Sequence, residues 1–138
     1  MLPYSITCTT ACDNLFELDD GRLQLISGGD TAPLMIGSNY ILAELRFIEI
    51  LEELNVERIS NDDAVILRRR TGEEYRTHRR LKIGQCFQSE MINDLNVDGN
   101  RLLLMDNTYL FCSPLLKSSL EKYRLSYLSF TEGLSNFG

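Results

Sequence analysis

At 138 residues, 43% apolar and 25% charged, the chain has the composition of an ordinary globular protein with one hydrophobic core, so a single domain over residues 1–138 is expected. A formal net charge of −6 disfavours general affinity for nucleic acid or anionic lipid and favours a basic partner. No segment approaches the roughly 18 apolar residues of a membrane span, and the opening Met1-Leu2-Pro3-Tyr4-Ser5-Ile6 lacks the pattern of a secretory leader, which predicts a cytoplasmic protein with reduced thiols.

In chain order, Leu15-Phe16-Glu17-Leu18 and Arg22-Leu23-Gln24-Leu25-Ile26 flank Asp19-Asp20-Gly21, the signature of a hairpin. Ser27-Gly28-Gly29-Asp30 reads as a loop, and lacks the following Lys-Ser/Thr or helix that a phosphate-cradling loop needs. The state of Leu34-Met35-Ile36 is open. From Tyr40 the period changes: Phe47, Ile50, Leu51 and Leu54 recur at helical spacing with Glu49, Glu52 and Glu53 between them, which predicts an amphipathic helix over about 43–55. A short strand near Val56–Ile59, a turn at Asn61-Asp62-Asp63 and a buried run Ala64-Val65-Ile66-Leu67 follow.

Thr71-Gly72 punctuates a second hairpin, in whose second arm Arg76, His78, Arg80 and Lys82 share one face and Tyr75, Thr77, Leu81 and Ile83 the other, with Arg79 the exception. Leu102–Met105 and Tyr109–Cys112 are strand-like. Ser113-Pro114 then opens a helix that turns Leu116, Leu120 and Tyr123 inward and ends near Arg124, because Ser caps free N–H groups and Pro suits the first helical position. A strand over Tyr127–Phe130 and a loose tail from Glu132 to Gly138 complete the chain. The segments starting at Tyr40 and Tyr109 match without a gap at an offset of 69 (109 − 40), as if one strand–helix–strand unit were used twice. The fold class expected from these elements is α+β, with two main helices packed on a mostly antiparallel sheet and about eight short strands.

The carboxylates Glu49, Glu52, Glu53, Glu57, Asp62 and Asp63 form the first candidate partner-binding surface, a directional negative field on one helix and the turn after it. The alternative is a solvated helix face. Loop residues Asp94 and Asp98, with Asp106 beside Asn96 and Gly99, form a second candidate. Tyr40, Tyr75, Tyr109 and Phe137 are candidate aromatic anchors, the first three also fitting a core role. Half of all Lys and Arg fall within residues 68–82, and this basic hairpin offers either a phosphate-binding or nucleic-acid-binding face or the wet side of a strand. His78 is the only histidine, so catalysis through an imidazole would have to use it, and no orienting carboxylate stands near it in sequence. Cys8, Cys12, Cys86 and Cys112 lack the matched Cys/His spacing of a structural metal site and read as small buried hydrophobes. No catalytic residue, metal or cofactor is expected.

The stretch from about Ser38 to Glu132 resembles the immunity proteins of bacterial polymorphic toxin systems, of the type VI or Rhs kind. One family of these carries two elements of apolar strand, Val-Ser-Glu or similar, and an amphipathic helix with Lys or Arg. The second element here reads Tyr109-Leu110-Phe111-Cys112-Ser113-Pro114-Leu115-Leu116-Lys117 and the first Tyr40-Ile41-Leu42-Ala43-Glu44-Leu45-Arg46-Phe47. Pro114 stands where an acidic residue is usual, and Ala43 replaces a serine. The resemblance implies a stoichiometric inhibitor that protects its own cell by binding a cognate toxin domain, in some cases a nuclease with a basic cleft, and it implies no catalytic residue.

Overall fold

The computed structural model describes residues 1–27 and 29–137; Gly28 of the expected loop and Gly138 of the expected tail lie outside the described residues. Short apolar runs bounded by Asp, Asn and Gly are of strand length. They give β1 (Tyr4–Cys8), β2 (Leu15–Glu17), β3 (Leu23–Leu25), β4 (Leu34–Ile36), β5 (Ile41–Glu44), β6 (Ile59–Asp63), β7 (Ile66–Arg68), β8 (Glu73–Tyr75), β9 (His78–Ile83), β10 (Cys86–Phe87), β11 (Leu102–Met105), β12 (Tyr109–Cys112) and β13 (Leu128–Glu132). Two α-helices, α1 (Leu45–Glu53) and α2 (Pro114–Lys122), and a 3-10 helix over Ser89–Asp94 complete the described elements. No helix among the described residues is long and apolar enough to cross a membrane.

The strands form three sheets in the orders β10-β11-β12-β1-β13, β2-β3-β7-β8 and β4-β5-β9-β6. Alternation along β5 decides how they stack. Ile41 and Ala43 enter a core with Phe47, Ile48, Ile50 and Leu51 of α1 and Leu116 and Leu120 of α2. Tyr40 and Leu42, on the opposite face, pack with Leu15, Leu23, Leu25 and Ile66 of the second sheet. The β4-β5-β9-β6 sheet is therefore covered on both faces. The five-stranded sheet supplies Ile6, Leu102, Leu110 and Cys112 to the helical core. Its other face carries Leu103, Met105, Phe111 and Phe87 with Ile92 of the 3-10 helix. Gly37 allows one close approach: a Cβ there would lie 2.3 Å from the Tyr40 ring, whose hydroxyl reaches across to accept from the Leu15 N–H at 3.2 Å.

The expectation of two main helices on a mostly antiparallel sheet does not hold. Strands make up 38% and helices 18% of the structure, in three sheets, and each α-helix is only nine residues long. The helical period that includes Phe47 and Leu54 spans little more than two turns, while most apolar runs are three to five residues and alternate. Asn61-Asp62-Asp63, expected as a turn, lie in β6 and face Leu81, Arg80 and Arg79 of β9. The second hairpin closes with β8 at Tyr75, and the chain then crosses to another sheet, so 78–83 is not its second arm. His78 is correspondingly buried and not on a wet face. Of the four cysteines only Cys112 is buried; Cys8 is half-buried, and Cys12 and Cys86 are exposed.

β4-β5-α1-β6 and β11-β12-α2-β13 follow the same course. The helices start at residues 45 and 114 and the last strands at 59 and 128, 69 apart in each case. Asn55 (φ 52°) and Arg124 (φ 54°), just beyond the two helices and again 69 apart, share the left-handed conformation that ends a helix. In both, the two flanking strands clasp an antiparallel strand from elsewhere: β9 between β5 and β6, and β1 between β12 and β13.

α2 begins where Ser113 and Pro114 put it. The buried Ser113 Oγ accepts from Leu116 N–H (3.4 Å) and Arg101 N–H (2.9 Å) and donates to Gly99 C=O (2.6 Å), joining the helix cap to the loop before β11. Ser113→Ala strips three backbone groups of a partner and is expected to cost about 2 kcal/mol, read as a lowered urea midpoint at unchanged slope.

Candidate functional site

α1 buries Phe47, Ile48, Ile50 and Leu51, which turns Arg46, Glu49, Glu52 and Glu53 to solvent. Arg46 Nη1 lies 3.3 Å from Glu49 Oε2 and 3.3 Å from Glu53 Oε1. The guanidinium also stands 5.8 Å from the centre of the Tyr123 ring, and Tyr123 Oη donates to Glu53 Oε2 at 2.8 Å. The hydrogen bond from Tyr123, with Arg46 second, holds the Glu53 carboxyl below the usual carboxylate range. The same bond pushes the Tyr123 phenol up. The network joins α1 to the residue that ends α2, and it sets two carboxylates against one guanidinium, with Glu52 outside it.

Glu52 has no ion pair among the described residues, and it sits in the last turn of α1, where there is no basic residue. Helix dipoles place negative charge at that end, so a carboxylate there destabilises its own helix. Glu53 offsets this through Arg46 and Tyr123; Glu52 does not. A local rule broken with no visible structural gain makes Glu52 a candidate for a role outside folding. Glu52→Lys is expected to raise stability by about 0.3–1 kcal/mol, read as a higher melting temperature.

The structure separates the remaining sequence-predicted site residues from this face or pairs them internally. Glu57 forms a bridge with Arg101 and lies 3.3 Å from its guanidinium. Asp62 is held by Lys82 at 2.6 Å and Asp63 by Arg79 at 2.5 Å, both on β9. Asp94 closes the 3-10 helix. Asp98 lies in the following loop, where its C=O accepts from Arg101 Nε at 2.5 Å and its N–H donates to Asn96 Oδ1 at 3.0 Å. The Asp94 and Asp98 carboxylates are exposed and without ion pairs among the described residues. Asp106 accepts from Ser89 N–H at 3.2 Å.

The basic strand is answered within the chain. Arg80 pairs with Glu17 at 2.5 Å and donates to Asn39 C=O at 2.7 Å, and Arg79 also binds Asn61. Arg69 and Arg70, at the β7–β8 turn, are exposed and with Arg68 border an open cleft of about 510 Å³. His78 Nε2 lies 2.6 Å from Ala32 C=O and Nδ1 2.8 Å from Thr77 Oγ1. A carbonyl only accepts, so Nε2 carries the proton and Nδ1 accepts from the Thr77 hydroxyl. Both ring nitrogens are occupied, and the Nε2 bond ties β9 to the segment before β4.

No family model, curated protein or solved structure matches the chain. The likeness to immunity proteins therefore stands on the residues quoted for it.

Sequence reasoning missed a groove and an aromatic contact, although it named Tyr109 and Phe137 singly as anchors. The first is an open groove of about 760 Å³ where the β2–β3 turn meets β6, β9 and the β11–β12 turn. Its charges balance, with Asp20, Asp62 and Asp63 against Arg22, Arg80 and Lys82, so it projects little net field. The second is the edge-to-face pair of Tyr109 and Phe137, ring centres 5.0 Å apart and 45% and 40% exposed, at the rim of an apolar pocket of about 310 Å³ that Cys8 and Cys12 also line. Tyr40, by contrast, is buried. Both features join segments distant in the chain, which leaves no local signal.

Proposed function

We propose that this chain is a cytoplasmic immunity protein that neutralises a cognate bacterial toxin by forming a stoichiometric complex with it, without catalysis or cofactor. The supporting observation is the outer face of α1. Two exposed carboxylates, Glu49 and Glu53, share one guanidinium, and Glu52 sits uncompensated at the helix end where its charge costs stability. Such a face attracts a basic cleft from a distance and speeds encounter. Affinity then comes from a few well-packed anchors, for which the exposed Tyr109 and Phe137 pair is suited.

The competing reading, a phosphate-binding or nucleic-acid-binding module on the basic hairpin, is favoured by Arg69 and Arg70 alone, since Arg79, Arg80 and Lys82 already serve carboxylates of this chain. It entails retention on heparin that weakens steeply with salt. The immunity reading is tested by co-expressing the chain with the product of the adjacent reading frame. Growth is restored if the reading is right; continued arrest with both proteins well expressed contradicts it.

A further inference from the structure

We infer that β13 is a self-pairing edge, through which two copies of this chain join their five-stranded sheets into one antiparallel sheet. β13 is the last strand of its sheet, bonded on one side only, to β1. Gly133 N–H donates to Pro3 C=O (2.8 Å) and Thr9 N–H to Tyr127 C=O (2.7 Å) at the two ends of that ladder. Antiparallel alternation then gives the backbone groups of the odd-numbered residues to β1 and turns those of Leu128, Phe130 and Glu132 outward.

Two of the outward groups are satisfied locally: Leu128 N–H donates to Leu125 C=O, and Glu132 C=O accepts from Ser135. Among the described residues, Phe130 N–H, Phe130 C=O, Leu128 C=O and Glu132 N–H are left. This set complements itself about a two-fold axis through Phe130. The two Phe130 residues exchange both hydrogen bonds, and each Glu132 N–H meets the Leu128 C=O of the partner subunit. All the remaining donors and acceptors are used and none is in excess.

The side chains agree with this pairing. Leu128 and Phe130 are half-buried and, with Leu120 and Leu125, form the apolar part of an open groove of about 380 Å³ beside α2 and β13, which Glu121, Arg124 and Ser126 also line. Two-fold pairing sets the two Phe130 side chains next to each other on the same face of the joined sheet. Arg124, exposed and without an ion pair among the described residues, stands before β13, and exposed Glu132 ends it. An antiparallel copy brings each arginine to the end where the other chain's glutamate lies.

β6 provides the contrast within the same molecule. It occupies the same place in its own unit and is also an edge. At the positions of Phe130, Thr131 and Glu132 it carries Asn61, Asp62 and Asp63, an amide and two carboxylates in a row, the polar and charged side chains that protected edges carry. β13 keeps a single carboxylate, Glu132 at its end, and has Phe130 and Thr131 where β6 has Asn61 and Asp62.

Sedimentation and light scattering of the full chain from micromolar to sub-millimolar concentration test this. A reversible dimer is expected, with amide exchange at Phe130 and Glu132 slowing as concentration rises. Phe130→Pro removes the central outward N–H at an edge, where proline is tolerated, and should give a folded monomer by circular dichroism. If that variant does not fold, charge exchange decides: Glu132→Arg or Arg124→Glu alone should weaken the dimer roughly tenfold, and the two together should restore it. A wild-type chain that stays monomeric over the whole range, or a dimer indifferent to the charge changes, overturns the proposal.

Discussion

Phe47→Ala is expected to lower the unfolding free energy by about 3–5 kcal/mol, the range for emptying a fully packed aromatic site. Phe47 is wholly inaccessible and lies in the core that α1, α2, the five-stranded sheet and the β4-β5-β9-β6 sheet all line. A helix of nine residues has little stability of its own, so α1 holds its shape because this face is packed. A loss of that size consumes much of the margin of a domain this small. Phe47→Leu keeps most of the volume and should cost markedly less. Equilibrium denaturation of both variants measures the difference; near-equal, small losses would show that the two units do not share one core.

Exchanging Glu49, Glu52 and Glu53 together for Lys should slow association with a basic partner by one to three orders of magnitude and leave the fold intact. The fold should survive because the ion pairs lost are exposed, at side-chain exposures of 57% for Arg46, 63% for Glu49 and 50% for Glu53, and such solvent-screened pairs contribute little to stability. Lysines in the last turn of α1 also suit its dipole. The binding effect is large because the changes reverse the field at one place and raise the formal net charge from −6 to zero. Wild-type association should fall with added salt and that of the variant should not. Stopped-flow association rates over a salt series separate this from a loss of contact area, which would raise the dissociation rate in its place.

What could be read from the sequence was local. Asp19-Asp20-Gly21 set the β2–β3 hairpin, with Gly21 at positive φ, and Ser113-Pro114 set the start of α2, because those residue types satisfy backbone groups within a few positions. The carboxylate stripe of α1 could be read for the same reason. Asn61-Asp62-Asp63 misled, since turn-forming residues lie in a strand when a neighbouring strand supplies Arg79 and Lys82 to meet them. The basic residues near 80 looked like a free cationic face for the same reason, their partners being Glu17 and the β6 carboxylates. β1, paired with strands more than a hundred residues away, had no local signature.

The most direct measurement of the central claim is a titration of the purified chain with the product of the adjacent reading frame, the mass and stoichiometry of any complex being read at low and high salt. The expected result is a salt-sensitive complex of fixed stoichiometry that forms with wild type and is lost when Glu49, Glu52 and Glu53 are exchanged for Lys. No complex at all, or one that forms equally well with the exchanged helix at every salt concentration, would contradict it.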